Sequence, residues 1–135
     1  MTYAISAALQ AAVYQCLIND AVVTALVGAD IYDALPSGAV PNTYVSLGPE
    51  EVADASDKTG YGARHNFTIS VVTDTSGFQS AKDVGGAICD ALLDTDLTLT
   101  RGTLVGLWFD KAKAARTDNG TSRRIDLTFR ARVQD

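Results

Sequence analysis

The strongest constraint on the fold lies at the C-terminal end of the chain, where two β-prone runs, Thr103–Arg116 and Ser122–Val133, flank Asp118-Asn119-Gly120. An Asn-Gly signal between alternating runs predicts a β-hairpin. A two-residue Asn119-Gly120 turn would set Asp110 opposite Phe129, a charge against an aromatic ring. A three-residue loop with Gly120 left-handed instead pairs Phe109 with Phe129 and Val105 with Val133 on one face, and Trp108 with Arg130 on the other. Cross-strand apolar pairing favours that second register. Followed outward, it gathers Lys111, Lys113, Arg116, Arg123 and Arg124 near the turn, where the apolar pattern fades. The expectation is a hairpin over 103–133 that projects beyond the core with a basic tip.

The N-terminal end reads as helix. Ile5, Leu9, Ala12, Val13, Cys16 and Leu17 recur at the spacing of one helical face between Ala4 and Asn19. Asp20 then caps a short helix over Ala21–Val27, and Gly28 suits its left-handed C-terminus. Ile31-Tyr32 predicts a brief strand, and the breakers in Leu35–Pro41 predict neither regular state. Thr43–Leu47 and Phe67–Thr73 read as strands. The polar, acidic stretch between them, 48–62, is expected to be a long loop or hairpin arm and holds Glu50, Glu51, Asp54 and Asp57.

A further helix runs from Ser76 or Gly77 to Leu93 with Ala81, Val84, Ile88, Cys89 and Leu92 on its apolar stripe. Gly85-Gly86 within it costs helix propensity, which predicts close packing against a neighbouring backbone. Together these elements predict one α+β domain over 1–135: a mixed, mainly antiparallel sheet, two main helices packed on one face, and the C-terminal hairpin.

Charge narrows the function. The net value of -5 argues against adhesion to nucleic acid through bulk charge. It hides a split, because residues 1–100 carry three basic side chains against twelve acidic ones, whereas 101–135 carry eight against four. Such a division suits an external anion or head-to-tail contact between copies. The longest apolar window, Ala21–Val27, is far short of the roughly 18 residues of a membrane span, so no membrane partner is expected.

Nothing in the residues predicts catalysis or a cofactor. Cys16 and Cys89 stand alone and read as buried core thiols. The single His65 has no partner at metal-ligand spacing and reads as a surface or edge-strand side chain. No Gly-x-Ser-x-Gly elbow is present. Glu50, Glu51, Asp54 and Asp57 lack the alternate-oxygen spacing of a calcium loop and read as solvated. Asp90, Asp94 and Asp96, at an unfavourable helix end, are expected in solvent. The basic hairpin is left with two roles: contact with an acidic protein surface, including another copy, or a nucleic-acid-binding module using Arg123, Arg124, Arg130 and Arg132.

The order of elements carries a resemblance. The helical pair with Leu9, Val13, Leu17, Val23 and Leu26, the junction Ile31-Tyr32-Asp33-Ala34-Leu35-Pro36, the strands Thr43–Gly48 and His65–Val71, the following helix and the Arg-rich hairpin resemble the phage tail terminator, or tail completion, family. They also resemble its counterpart in gene transfer agents. The resemblance implies a structural, non-enzymatic protein without cofactor, placed in the virion tail after assembly in the bacterial cytoplasm. It further implies a homohexameric ring at the head-proximal end that stops tail-tube polymerisation. The implied partners are further copies of the chain, the tail tube protein and the head–tail connector or adaptor, with DNA passing through the ring unbound. On that reading the subunit or partner contacts use Lys111, Lys113, Arg116, Arg123 and Arg124 on one side and Glu50, Glu51, Asp54 and Asp57 on the other.

Overall fold

Two strands of opposite wetness on their two faces organise the molecule. In the computed structural model, which describes residues 3–33, 41–58, 60–117 and 120–135, β3 (Gly62–Thr73) and β5 (Ser122–Gln134) lie side by side, antiparallel, at the middle of a five-stranded sheet. Ala63, His65, Phe67, Ile69, Val71 and Thr73 alternate inward along β3, as do Ile125, Leu127, Phe129, Ala131 and Val133 along β5. Period-two alternation of this kind buries one face of an antiparallel sheet and leaves the other wet. The remaining elements are α1 (Ser6–Asn19), α2 (Ala21–Val27), β1 (Ile31–Tyr32), β2 (Thr43–Asp54), α3 (Gln79–Leu93) and β4 (Thr103–Thr117). The sheet order is β1-β2-β3-β5-β4, with β1 parallel to β2 and the other pairs antiparallel.

The helices cover the buried face. Leu9, Val13 and Leu17 of α1, Val23 and Val27 of α2, and Val84, Ile88 and Leu92 of α3 close one core with Val45, Ile69, Val71 and Phe129. Asp20 caps α2 as expected, its carboxylate accepting from the Val23 amide at 3.0 Å, and Gly28 ends it at φ 61°. The fold is α+β as the sequence predicts. The breaker segment falls almost wholly within 34–40, outside the described residues.

Several expectations change. Strand β2 runs on to Asp54 and β3 begins at Gly62, so most of 48–62 is a hairpin arm and only 55–61 connects. A register shift between Leu47 and Glu50 accommodates Gly48-Pro49. Proline cannot donate to a ladder and is confined to edges and bulges. The shift moves Glu50 onto the helix-covered face, opposite Phe67, where strict alternation would have put residue 49. His65 is correspondingly not a surface residue: it sits on a central strand with no exposed area.

The C-terminal hairpin forms between β4 and β5, and two bulges set its register. Phe109 faces Phe129 and Trp108 faces Arg130 as predicted, but Leu104, not Val105, faces Val133. Next to the turn the register is Thr117 opposite Ser122, the one a two-residue turn would extend, and the shift at Asp110 restores the Phe109–Phe129 pair. Residues Asp118 and Asn119 lie outside the described residues. Strand β5 is anchored to β3 over its whole length, whereas β4 stands at the sheet edge with residues 108–114 exposed.

The Gly85-Gly86 pair does not meet a neighbouring backbone. A Cβ on Gly85 would rest 3.7 Å from the Leu127 side chain, and one on Gly86 would meet nothing within 4 Å. Cys16 and Cys89 are half-buried at the margin of the core rather than within it, and the Cys16 thiol donates to the Ala91 carbonyl at 3.4 Å.

Candidate assembly interface

The sheet order turns the charge split along the chain into a split across the molecule. No lysine or arginine precedes Lys58, so α1, α2, β1 and β2 hold none, while Asp20, Asp30, Asp33, Glu50 and Glu51 fall among or beside them. Lys111, Lys113, Arg116, Arg123, Arg124, Arg130 and Arg132 all belong to β4 and β5. These two strands form the opposite side of the sheet from β1 and β2. One edge is acidic and the other basic.

The five basic residues near the turn do not form a single patch. Lys111, Lys113 and Arg124 fall on the uncovered face, level with Thr128, Asp126 and Ala115. Arg124 donates to Asp126 at 2.8 Å and to the Ser70 hydroxyl at 3.1 Å, and Ser70 donates to Asp126 at 2.6 Å. Burial alone would raise the Asp126 pKa, but these bonds from Ser70 and Arg124 outweigh it and hold the carboxyl below its ordinary range. Arg116 and Arg123 face each other on the helix side. The Arg116 guanidinium lies 5.3 Å from the Phe78 ring centre, and Arg123 donates to the Thr75 carbonyl at 3.2 Å.

The four acidic residues divide as well. Glu51 is exposed, opposite Asn66 on the uncovered face. Asp54 accepts from the amide and hydroxyl of Ser56, and Asp57 accepts from the Gly60 amide at 3.0 Å, so both shape the β2–β3 turn. That turn and the basic tip lie at opposite ends of β3, about 36 Å apart for twelve residues of strand. Asp54 and Asp57 therefore cannot meet Arg116 and Arg123 within one molecule.

Glu50 turns inward to a network that the sequence does not reveal. Its Oε1 accepts from the Tyr3 hydroxyl at 2.8 Å and from Ser6 at 2.6 Å, and its Oε2 lies 3.1 Å from His65 Nδ1. Burial acts to raise the Glu50 pKa, yet the bonds from Ser6, His65 and Tyr3 together bring it below the ordinary value. Ser6 and His65 bond the same carboxylate rather than each other, so this is not a nucleophile–base relay. His65 Nε2, where a nucleophile would stand, is buried without a hydrogen-bond partner among the described residues. The Gly48-Pro49 pair was the available signal, because a bulge there reverses which glutamate points inward.

The uncovered face also carries a groove of about 370 Å³ lined by Arg64, Asn66, Trp108, Arg130 and Arg132. Arg130 lies 5.6 Å from the Trp108 ring centre, and the indole folds back over Gly106, where a Cβ would collide with it. Arg132 donates to the Ala55 carbonyl. At the opposite edge an open apolar groove of about 850 Å³ runs between α1 and the β1–β2 edge. One groove thus lies on the uncovered face over β3, β5 and β4 and the other at the β1–β2 edge, and neither carries a catalytic constellation among the described residues.

Residues 11–134 match the family model described as tail completion protein gp17. The chain belongs to that family. A solved chain from the virion of a native gene transfer agent particle is 61% identical, with a TM-score of 0.94 over 99% of this chain and 100% of that one. No curated protein matches significantly. This tail-completion protein is therefore a structural component of a virion, with its place in the tail.

Proposed function

We propose that this tail-completion protein forms a homohexameric ring that caps the head-proximal end of the tail tube, stops its polymerisation and joins it to the head connector. The observation that carries the reading is the placement of opposite charge on opposite edges of one sheet. A surface of this kind is complementary to a second copy translated around a rotation axis, and heterologous contacts close into rings when the rotation allows. Family membership and the virion match support the setting. A chain of net charge -5 can border a DNA passage without gripping phosphates. No step in this role needs a cofactor or an enzymatic group.

The test is the loss of the protein from otherwise normal particles. The expected result is tail tubes of uncontrolled length and tails detached from heads. Tails of normal length joined to heads would overturn the role. Light scattering on the purified chain reads the oligomer directly, with a hexamer that loosens as salt rises.

The competing reading uses Arg123, Arg124, Arg130 and Arg132 on nucleic acid. Arg124, Arg130 and Arg132 share the uncovered face beside Trp108, but Arg123 is tied to the opposite side, and Arg124 is already bridged to Asp126. DNA affinity that falls steeply with salt would favour this reading.

A further inference from the structure

We propose that the exposed apolar pair on the uncovered face of β4, Val105 and Trp108, docks into the groove between α1 and β1–β2 of a second copy of this chain, a contact that rests on the ring reading above and gives it its surfaces. Val105 and Trp108 are 55% and 46% exposed and both border Arg132, whereas Phe109 turns to Phe129 on the helix-covered face. A Trp side chain buries on the order of 150–250 Å² when covered. The groove at the other edge is lined by Ala7, Ala11, Tyr14, Ile31, Tyr32 and Leu47 and, at about 850 Å³, is roomy enough for such side chains.

The surroundings match in charge. Lys111 and Lys113 follow the apolar pair along β4, and Asp33 lines the groove, with Asp30 immediately before β1 and accepting from the Tyr32 hydroxyl. An apolar centre with a charged rim is the usual anatomy of a specific interface. The match also selects the occupant, because the complementary surface is present on the same chain, at the far edge of the same sheet.

Strand addition is disfavoured as the mode of contact. The β4 ladder is broken by register shifts between Leu104 and Gly106 and between Phe109 and Lys111, and the lysines occupy the half nearer the turn. Bulges and edge lysines are devices that block edge-to-edge pairing. The contact is therefore made by side chains entering a groove.

Such a heterologous contact has a signature that an isologous one lacks. Val105→Asp with Trp108→Asp removes the docking pair and keeps the groove. Ala7→Arg with Ala11→Arg, both at exposed helical positions that arginine suits, fills the groove and keeps the pair. The readout is native mass spectrometry, with circular dichroism to establish folding. Each variant alone is expected to be monomeric. An equimolar mixture is expected to give a dimer and nothing larger, since it contains one intact pair and one intact groove.

Lys111→Glu with Lys113→Glu serves as a charge-only variant should the aspartates disturb β4, and is expected to weaken self-association about tenfold. Where the wild-type ring forms only on particles, the same variants are read as loss of incorporation. A wild-type ring with variants that assemble like it would overturn this contact and leave the ring standing. Where the wild-type chain forms its ring in solution, a mixture that stays monomeric or recovers the full ring would also overturn the contact. A wild-type chain that is monomeric in solution and present as one copy per particle would overturn the ring and the contact together.

Discussion

Glu50 and His65 show how far a residue's role depends on which way its strand faces. Both are polar residues in stretches that read as solvated, yet the shift at Gly48-Pro49 carries Glu50 inward to His65, Ser6 and Tyr3. Because the folded Glu50 pKa is depressed, its stabilising effect is present above the unfolded value near 4.3 and is lost as pH falls through the folded value. Glu50→Gln is expected to cost about 1–3 kcal/mol at neutral pH, since it weakens bonds made by a charged acceptor. The difference from wild type should shrink below about pH 4. Urea denaturation of both proteins across that range measures it, and two curves that fall in parallel would count against the network.

At the scale of elements, the helices were the most legible parts and their glycines the least. Periodicity placed α1 and α3 to within about two residues, because an apolar stripe at 3.6-residue spacing has few alternative folds. The Asp20 cap was equally readable, and Asp20→Ala is expected to cost about 1 kcal/mol, lowering the melting temperature by about 3–5 °C in a thermal scan. The glycine pair in α3 carried no such information. Gly86 has open space around its Cα and needs no unusual φ, so Gly86→Ala is expected to stabilise the protein by about 0.5–1 kcal/mol by chemical denaturation. A loss of stability would mean that something packs against that face.

The same limit applies to the strands. Alternation identified the inward residues of β3 and β5, and Phe129 stacks on Phe67 at 5.6 Å and meets Phe109 edge-on at 6.0 Å. Phe129→Ala is expected to cost about 3–5 kcal/mol, whereas Phe109→Ala, half-exposed on β4, should cost clearly less. Equal losses in equilibrium unfolding would place β4 deeper in the core than its exposure indicates. Local patterns could not show the bulges, since an inserted residue leaves composition unchanged while moving every later side chain to the other face.

For the whole molecule, the decisive property is where charge lies after folding. Reversal of Arg123 and Arg124 is a less clean test of assembly than the sequence suggests, because both side chains are bonded within the fold, to Thr75 and to Ser70 with Asp126. Lys111 and Lys113 are exposed. Their double reversal to Glu sets a like charge opposite Asp126 and is expected to cost about 0.2–1 kcal/mol, leaving the chain folded while impairing incorporation into particles. Normal incorporation of that folded variant would show that the basic edge makes no essential contact.

By itself the sequence determined the helices, the alternating core strands, the C-terminal hairpin and the family likeness, all features written in local spacing or element order. Only the tertiary structure decided that β5 inserts beside β3 and leaves β4 at the edge, that Glu50 faces the core, and that the charge split becomes two opposed edges. The physical reason is that strand order and register are settled by packing between segments distant in the chain. A charge that is merely early or late in the sequence acquires a direction only when those segments pair.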